Sequence, residues 1–184
     1  MDPRGQQTAI LDLGDAIEDL QTTSDGRIWV SYFDEGVFGG GIGANGLVCF
    51  DAKGELKFEF AKLAEVSRLP HIDDCYALNV CDEHVWLSYY SDFPLIRLKD
   101  FQIDKTWKAF GSFKAFAVRK DELFCITAYG PRSLSVINLI NGTRDDYGLI
   151  DERGTPINSP RNLTVAARLD KLYFYDNETL FELP

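Results

Sequence analysis

The feature that most narrows what this chain can fold into is an internal repeat. The stretch Gly26-Arg27-Ile28-Trp29-Val30-Ser31-Tyr32-Phe33-Asp34 returns as Glu83-His84-Val85-Trp86-Leu87-Ser88-Tyr89-Tyr90-Ser91-Asp92, with aromatic, serine and tyrosine positions in register. Two weaker copies follow at Glu122 to Tyr129 and Lys171 to Asp176. Each copy is rich in β-branched and aromatic residues and follows a short polar turn: Ser24-Asp25-Gly26, Cys81-Asp82-Glu83, Lys120-Asp121 and Asp170-Lys171. That pattern predicts four hairpins.

A further strand and turn follow the first three copies: Gly46 to Phe50 into Asp51-Ala52-Lys53-Gly54, Pro94 to Leu98 into Lys99-Asp100, and Ser135 to Ile137 into Asn138 to Gly142. The units then close on Glu55 to Phe60, Asp104 to Ala109 and Asp145 to Ile150. Four antiparallel strands per unit make a β-propeller blade, so an all-β propeller of about four blades is expected over a single domain, residues 1–184. Helical periodicity is confined to Leu63 to Leu69, where Pro70 stops it.

The ends of the chain fit the same repeat. Met1 to Gly5 aligns with Phe50 to Gly54, which makes Thr8 to Leu13 an outer strand, while Thr179 to Pro184 aligns with a third strand. One blade is therefore expected to be split between the N- and C-termini. Equivalent positions Met1, Phe50, Leu98, Ile137 and Leu183 lie 49, 48, 39 and 46 residues apart, as blades do. Three assemblies fit: a closed four-bladed monomer, a homodimer of half-rings exchanging Thr8 to Leu13 to close an eight-bladed ring, or part of a larger propeller.

The Asp-Gly turn leading into Ile-Trp-Val at residues 25–30 resembles the WD40-like and sensor-type propeller repeats. The likeness spans nearly the whole chain, but the Gly-His and Trp-Asp dipeptides of WD40 repeats are absent. It implies the fold and leaves the activity to the site.

In a blade the second-to-third turns lie on the same face as the starts of the inner strands. Here that face carries Asp34, Asp92 and Asp176 in turns. Ile17-Glu18-Asp19 and His71-Ile72-Asp73-Asp74 stand at inner-strand starts, with Ser112 to Lys114 and Arg161 to Leu163 in the other two units. The shared Ile-acid-Asp triplet places Asp19 and Asp74 as candidate oxygen ligands for a divalent cation. The alternative is that these carboxylates cap local turns. His71 beside Asp73 and Asp74 offers an acid/base pair or a structural hydrogen bond. The glycines of Gly39 to Gly46 open onto a strand, not a helix N-terminus, so a loop over the channel mouth is expected there, flanked by Phe33 and Phe38. Trp29, Trp86, Tyr89 and Tyr90 are expected to pack between blades.

With 29 acidic and 19 basic residues, the net charge of −10 opposes association with nucleic acid or an anionic membrane. Cys49, Cys75, Cys81 and Cys125 lack metal-site spacing and read as buried reduced thiols, and residues 1–7 show no basic and apolar leader pattern, so a cytoplasmic protein is expected. Neither a Gly-x-Ser-x-Gly elbow nor more than two histidines is present. The reading is a binding or scaffolding propeller, for a protein or a small-molecule ligand, that uses an acidic face around Asp19, Asp34, Asp74, Asp92 and His71. The alternative is a metal-assisted hydrolase similar to the lactonase-type propellers, whose ligand set is not matched residue by residue.

Overall fold

The computed structural model describes residues 6–7, 10–108, 110–128, 133–151, 153–156, 164–175 and 178–183. Among the described residues about half are in strands and 12% in helices. Four antiparallel sheets stand around one axis as a four-bladed β-propeller. Blade 1 holds β1 (Ile17–Thr22), β2 (Ile28–Tyr32), β3 (Leu47–Phe50) and β4 (Leu56–Glu59). Blade 2 holds β5 (Asp74–Val80), β6 (Val85–Tyr90), β7 (Leu95–Lys99) and β8 (Gln102–Trp107). Blade 3 is β9 (Phe113–Arg119), β10 (Glu122–Thr127), β11 (Leu134–Asn138) and β12 (Arg144–Tyr147), and blade 4 is β13 (Thr164–Arg168), β14 (Lys171–Tyr175) and β15 (Leu180–Leu183). Within each blade the strands pair antiparallel in chain order, and the link between β2 and β3 carries a helical insertion.

Between blades the packing is apolar and aromatic, because twisted sheets leave wedge-shaped gaps that large flat side chains fill. Trp29 of blade 1 lies 5.4 Å from Phe58 and 5.8 Å from Phe101 of blade 2. Trp86 stacks on Trp107 at 5.3 Å, and the Trp107 indole N–H donates to the Leu139 carbonyl of blade 3 at 2.9 Å. Phe116, Leu123 and Ile137 continue the seam between blades 2 and 3; Ala115, Ile126, Leu172 and Phe174 fill the one between blades 3 and 4. Tyr89 is buried as expected. Tyr90 instead stands half exposed, edge-on to Phe93 at 5.4 Å.

Blades 4 and 1 meet differently. Among the described residues no apolar cluster joins them, and polar bonds across the axis do so instead. The Gln21 amide N–H₂ donates to Leu78 O at 3.0 Å and to Ala167 O at 3.3 Å, while its oxygen accepts from Val80 N–H at 2.9 Å. Asn79 donates to Phe116 O at 2.9 Å and to Leu169 O at 2.8 Å. Arg168 reaches back to Val80 O at 2.9 Å and to Thr22 O. Gln21 and Asn79 are 8% and 1% exposed, so buried polar groups plug the axis at this end; both amide nitrogens are hydrogen-bonded, while the Asn79 oxygen has no partner among the described residues. The strand register explains the room for them. Gln21 pairs with Trp29 and Asn79 with Trp86, and the matching positions of blades 3 and 4 are the small residues Ala117 and Ala166.

The split blade is realised in part. Blade 4 has three strands among the described residues, and Ile10 to Leu13 runs along blade 1 without strand pairing; Thr8 and Ala9 lie outside the described residues. Leu13 packs with Val30, Tyr32, Val48 and Phe50, and its carbonyl accepts the Tyr32 hydroxyl at 2.5 Å. The four inner strands surround one axis within one chain, in a four-bladed arrangement.

Two helical insertions complete the fold. Residues expected as a loop form α1 (Asp34–Gly39) and a 3-10 turn (Gly41–Asn45), while Phe60–Ser67 forms α2, ended by Arg68 in the left-handed region. Gly46 has φ +68 and faces the Ile72 side chain so closely that a Cβ there would sit 2.4 Å from Ile72 Cβ. This contact holds the insertion against the start of β5.

Candidate functional site

At the end of the axis opposite the polar plug, the inner strands begin. There a cavity of about 470 Å³ is lined by Glu18 of β1, Asp34 at the start of α1, Asp74 at the start of β5 and Lys114 of β9, with Phe33, Tyr76 and Phe113 as its apolar walls. A smaller cavity of about 150 Å³ continues down the axis and is shared by Glu18, Asp19, Tyr76 and Lys114. The Lys114 ammonium donates to Glu18 Oε1 at 2.9 Å. The remaining two carboxylates of the mouth, Asp34 and Asp74, press on each other: burial first, then the charges of Asp34 and Glu18, push the Asp74 carboxyl up to about 6, against a smaller pull from Lys114.

The face read from sequence is thus assembled in part. Asp34 and Asp74 share the mouth. Asp19 does not sit level with Asp74, although the triplets suggest it. Register pairing sets Gln21 level with Asn79 and hence Asp19 level with Ala77, because Asp19 precedes Gln21 by two residues whereas Asp74 precedes Asn79 by five; Asp74 itself lies beyond a register shift at the start of its strand. Asp19 is spent locally: its oxygens accept from Leu20 N–H at 2.7 Å and from the Gln21 amide at 2.9 Å, and burial raises its pKa. Its companion in the triplet, Glu18, is the residue that reaches the mouth.

Asp92 sits in the β6–β7 turn with φ +65, where a short polar side chain is tolerated, and His71 is exposed in the connector after α2. Neither lines the mouth cavity. Asp73, expected beside His71 as an acid/base partner, instead accepts a hydrogen bond from the Ser91 hydroxyl. Among the described residues no three His, Cys, Asp or Glu side chains group as a metal site. The third and fourth contributors split: Lys114 lines the mouth, whereas Arg161 to Leu163 and Asp176 lie outside the described residues. Phe33 walls the cavity and Phe38 is exposed at the end of α1. The four cysteines are free thiols, with burial pushing Cys49 and Cys125 up to about 12.

Sequence reasoning missed Glu18, Tyr76 and the Gln21–Asn79 plug. The signal for the plug lies in the hairpin arithmetic: Gln21 and Asn79 are the polar residues that fall opposite the repeated tryptophans.

A family model matches residues 47–178 and describes the YxzG family. The chain belongs to the YxzG family. No curated protein matches its sequence. Among solved structures it is similar to the β-propeller domain of Myceliophteria thermophila Cps50 (Swd1), at 9% identity and a TM-score of 0.54, over 91% of this chain and 51% of that one. It is also similar to the glutaminyl cyclase of Myxococcus xanthus, at 11% identity and a TM-score of 0.54, over 92% and 66%. These likenesses show the β-propeller fold. The YxzG-family chain spans about half of the first and two thirds of the second.

Proposed function

We propose that this YxzG-family propeller is a binding scaffold whose blind axial mouth takes a cationic side chain of a partner protein. The observation that carries the reading is the convergence of Glu18, Asp34 and Asp74 on one aromatic-walled cavity in which Lys114 is the single cation among the described lining residues. Three carboxylates against one ammonium leave an excess negative field. The Phe33, Tyr76 and Phe113 rings suit the aliphatic stem or the face of a lysine or arginine. The plug of Gln21, Asn79 and Arg168 makes the mouth a dead end, which fits an inserted side chain better than a through channel. Four free thiols support a reducing, cytoplasmic setting.

Fluorescence anisotropy with a labelled, unstructured peptide rich in arginine and lysine tests this. Binding is expected to weaken as salt rises and to fall at least tenfold in the Asp34→Asn/Asp74→Asn double variant. Equal affinity in wild type and double variant would sink the reading.

A further inference from the structure

The second open feature of the molecule lies at the rim, away from the mouth. In blades 1 to 3 the outer edge of the third strand is covered by β4, β8 and β12. In blade 4 the described residues offer no such cover, and β15 pairs on one side only, with β14. Beside this edge lies a groove of about 680 Å³ whose apolar lining is Leu149, Ile150, Phe174, Leu180, Phe181 and Leu183. Leu180 and Ile150 are 66% and 62% exposed. An uncovered edge next to exposed apolar side chains is a template for another strand.

We propose that a second copy of this chain covers that edge, β15 pairing antiparallel with β15 across a two-fold axis to make one six-stranded sheet from two fourth blades. The inference is independent of the mouth reading. Charge favours a copy of itself at this place. The protein as a whole carries −10, so two copies repel over most of their surface, but the charges around the groove are balanced: Lys171 pairs with Glu182, and Arg153 stands with Asp151. The edge points outward from the propeller axis, so two rings meet side by side.

Strand geometry then fixes the register. Directly opposed residues of antiparallel strands lie on the same face, and a two-fold axis normal to the sheet keeps each face on its own side. Centred pairing must therefore set either Glu182 opposite its copy or Phe181 opposite its copy. The first opposes like charges. The second sets Phe181 against Phe181 over the groove and Leu180 opposite Glu182 of the other chain.

Light scattering across a dilution series tests the assembly, with a doubling of the 20.8 kDa monomer mass expected at high concentration. Leu180→Glu, at an exposed position, puts like charges in register and is expected to weaken the dimer at least tenfold with an unchanged circular dichroism spectrum. Leu180→Lys sets an ammonium opposite Glu182 and is expected to retain it. A constant monomer mass at all concentrations overturns the proposal, as does a dimer that both variants leave unchanged or both abolish. Amide exchange of Leu180 to Leu183 that is slow and independent of concentration would mean that the chain covers its own edge, which also overturns it.

Discussion

Replacing Asp74 by Asn should stabilise this protein at neutral pH and only there. At the mouth, burial and the charges of Asp34 and Glu18 hold the Asp74 carboxyl at about 6 against an ordinary 3.8. A carboxyl whose folded pKa is raised binds its proton more tightly in the folded state. Its charge therefore burdens the fold above pH 6, and the burden fades as pH falls from about 6 towards 3.8. The gap between the two values corresponds to about 3 kcal/mol at 1.36 kcal/mol per pH unit. Asp74 lies at an open mouth where water screens its neighbours, so about 1 kcal/mol is the reasonable expectation. Asn keeps the shape and removes the charge. For a chain of this size 1 kcal/mol shifts the melting temperature by roughly 2–4 °C. Thermal melts of wild type and Asp74→Asn between pH 4 and pH 8 should show that gap at pH 7.5 and its disappearance near pH 4. Subtracting the two curves cancels the other titrating groups, including Asp19, whose pKa is also raised by burial. An Asn variant that is less stable at pH 7.5, or a gap that is the same at both ends of the range, would refute the electrostatic account of the mouth. The same substitution is expected to weaken capture of a cationic peptide, so the destabilising charge is retained for binding.

Gln21→Leu keeps the bulk of the axial plug but strands Val80 N–H, Leu78 O and Ala167 O, and is expected to cost about 3 kcal/mol in urea unfolding; a loss under about 0.5 kcal/mol would show that the plug is not structural. Gly46→Ala drives a Cβ into Ile72 at a positive φ and should lower stability by about 2 kcal/mol or more, whereas Gly39→Ala, which meets open space, should be close to neutral; equal melting temperatures would disprove the close approach.

The sequence by itself determined the blade. Alternating β-rich runs, polar turns and a spacing of 39 to 49 residues specify four antiparallel sheets, since side-chain alternation and turn chemistry are local and are written in order along the chain. It also determined which aromatics fill the seams, because Trp29 and Trp86 repeat in register. Tertiary structure decided what faces the axis. A register shift near the start of each inner strand moves a side chain from one level or face to another, and such a shift leaves no composition signal. Glu18 and not Asp19 joins Asp34 and Asp74, because Asp19 lies only two residues before the level of the plug and Asp74 five, and Gln21 bonds the backbone on either side of Asn79 although 58 positions separate the two in the chain. The place of Leu13 was likewise a tertiary choice: the segment that the repeat assigns to an outer strand supplies Leu13 to the apolar face of blade 1, where it packs with Val30, Tyr32, Val48 and Phe50.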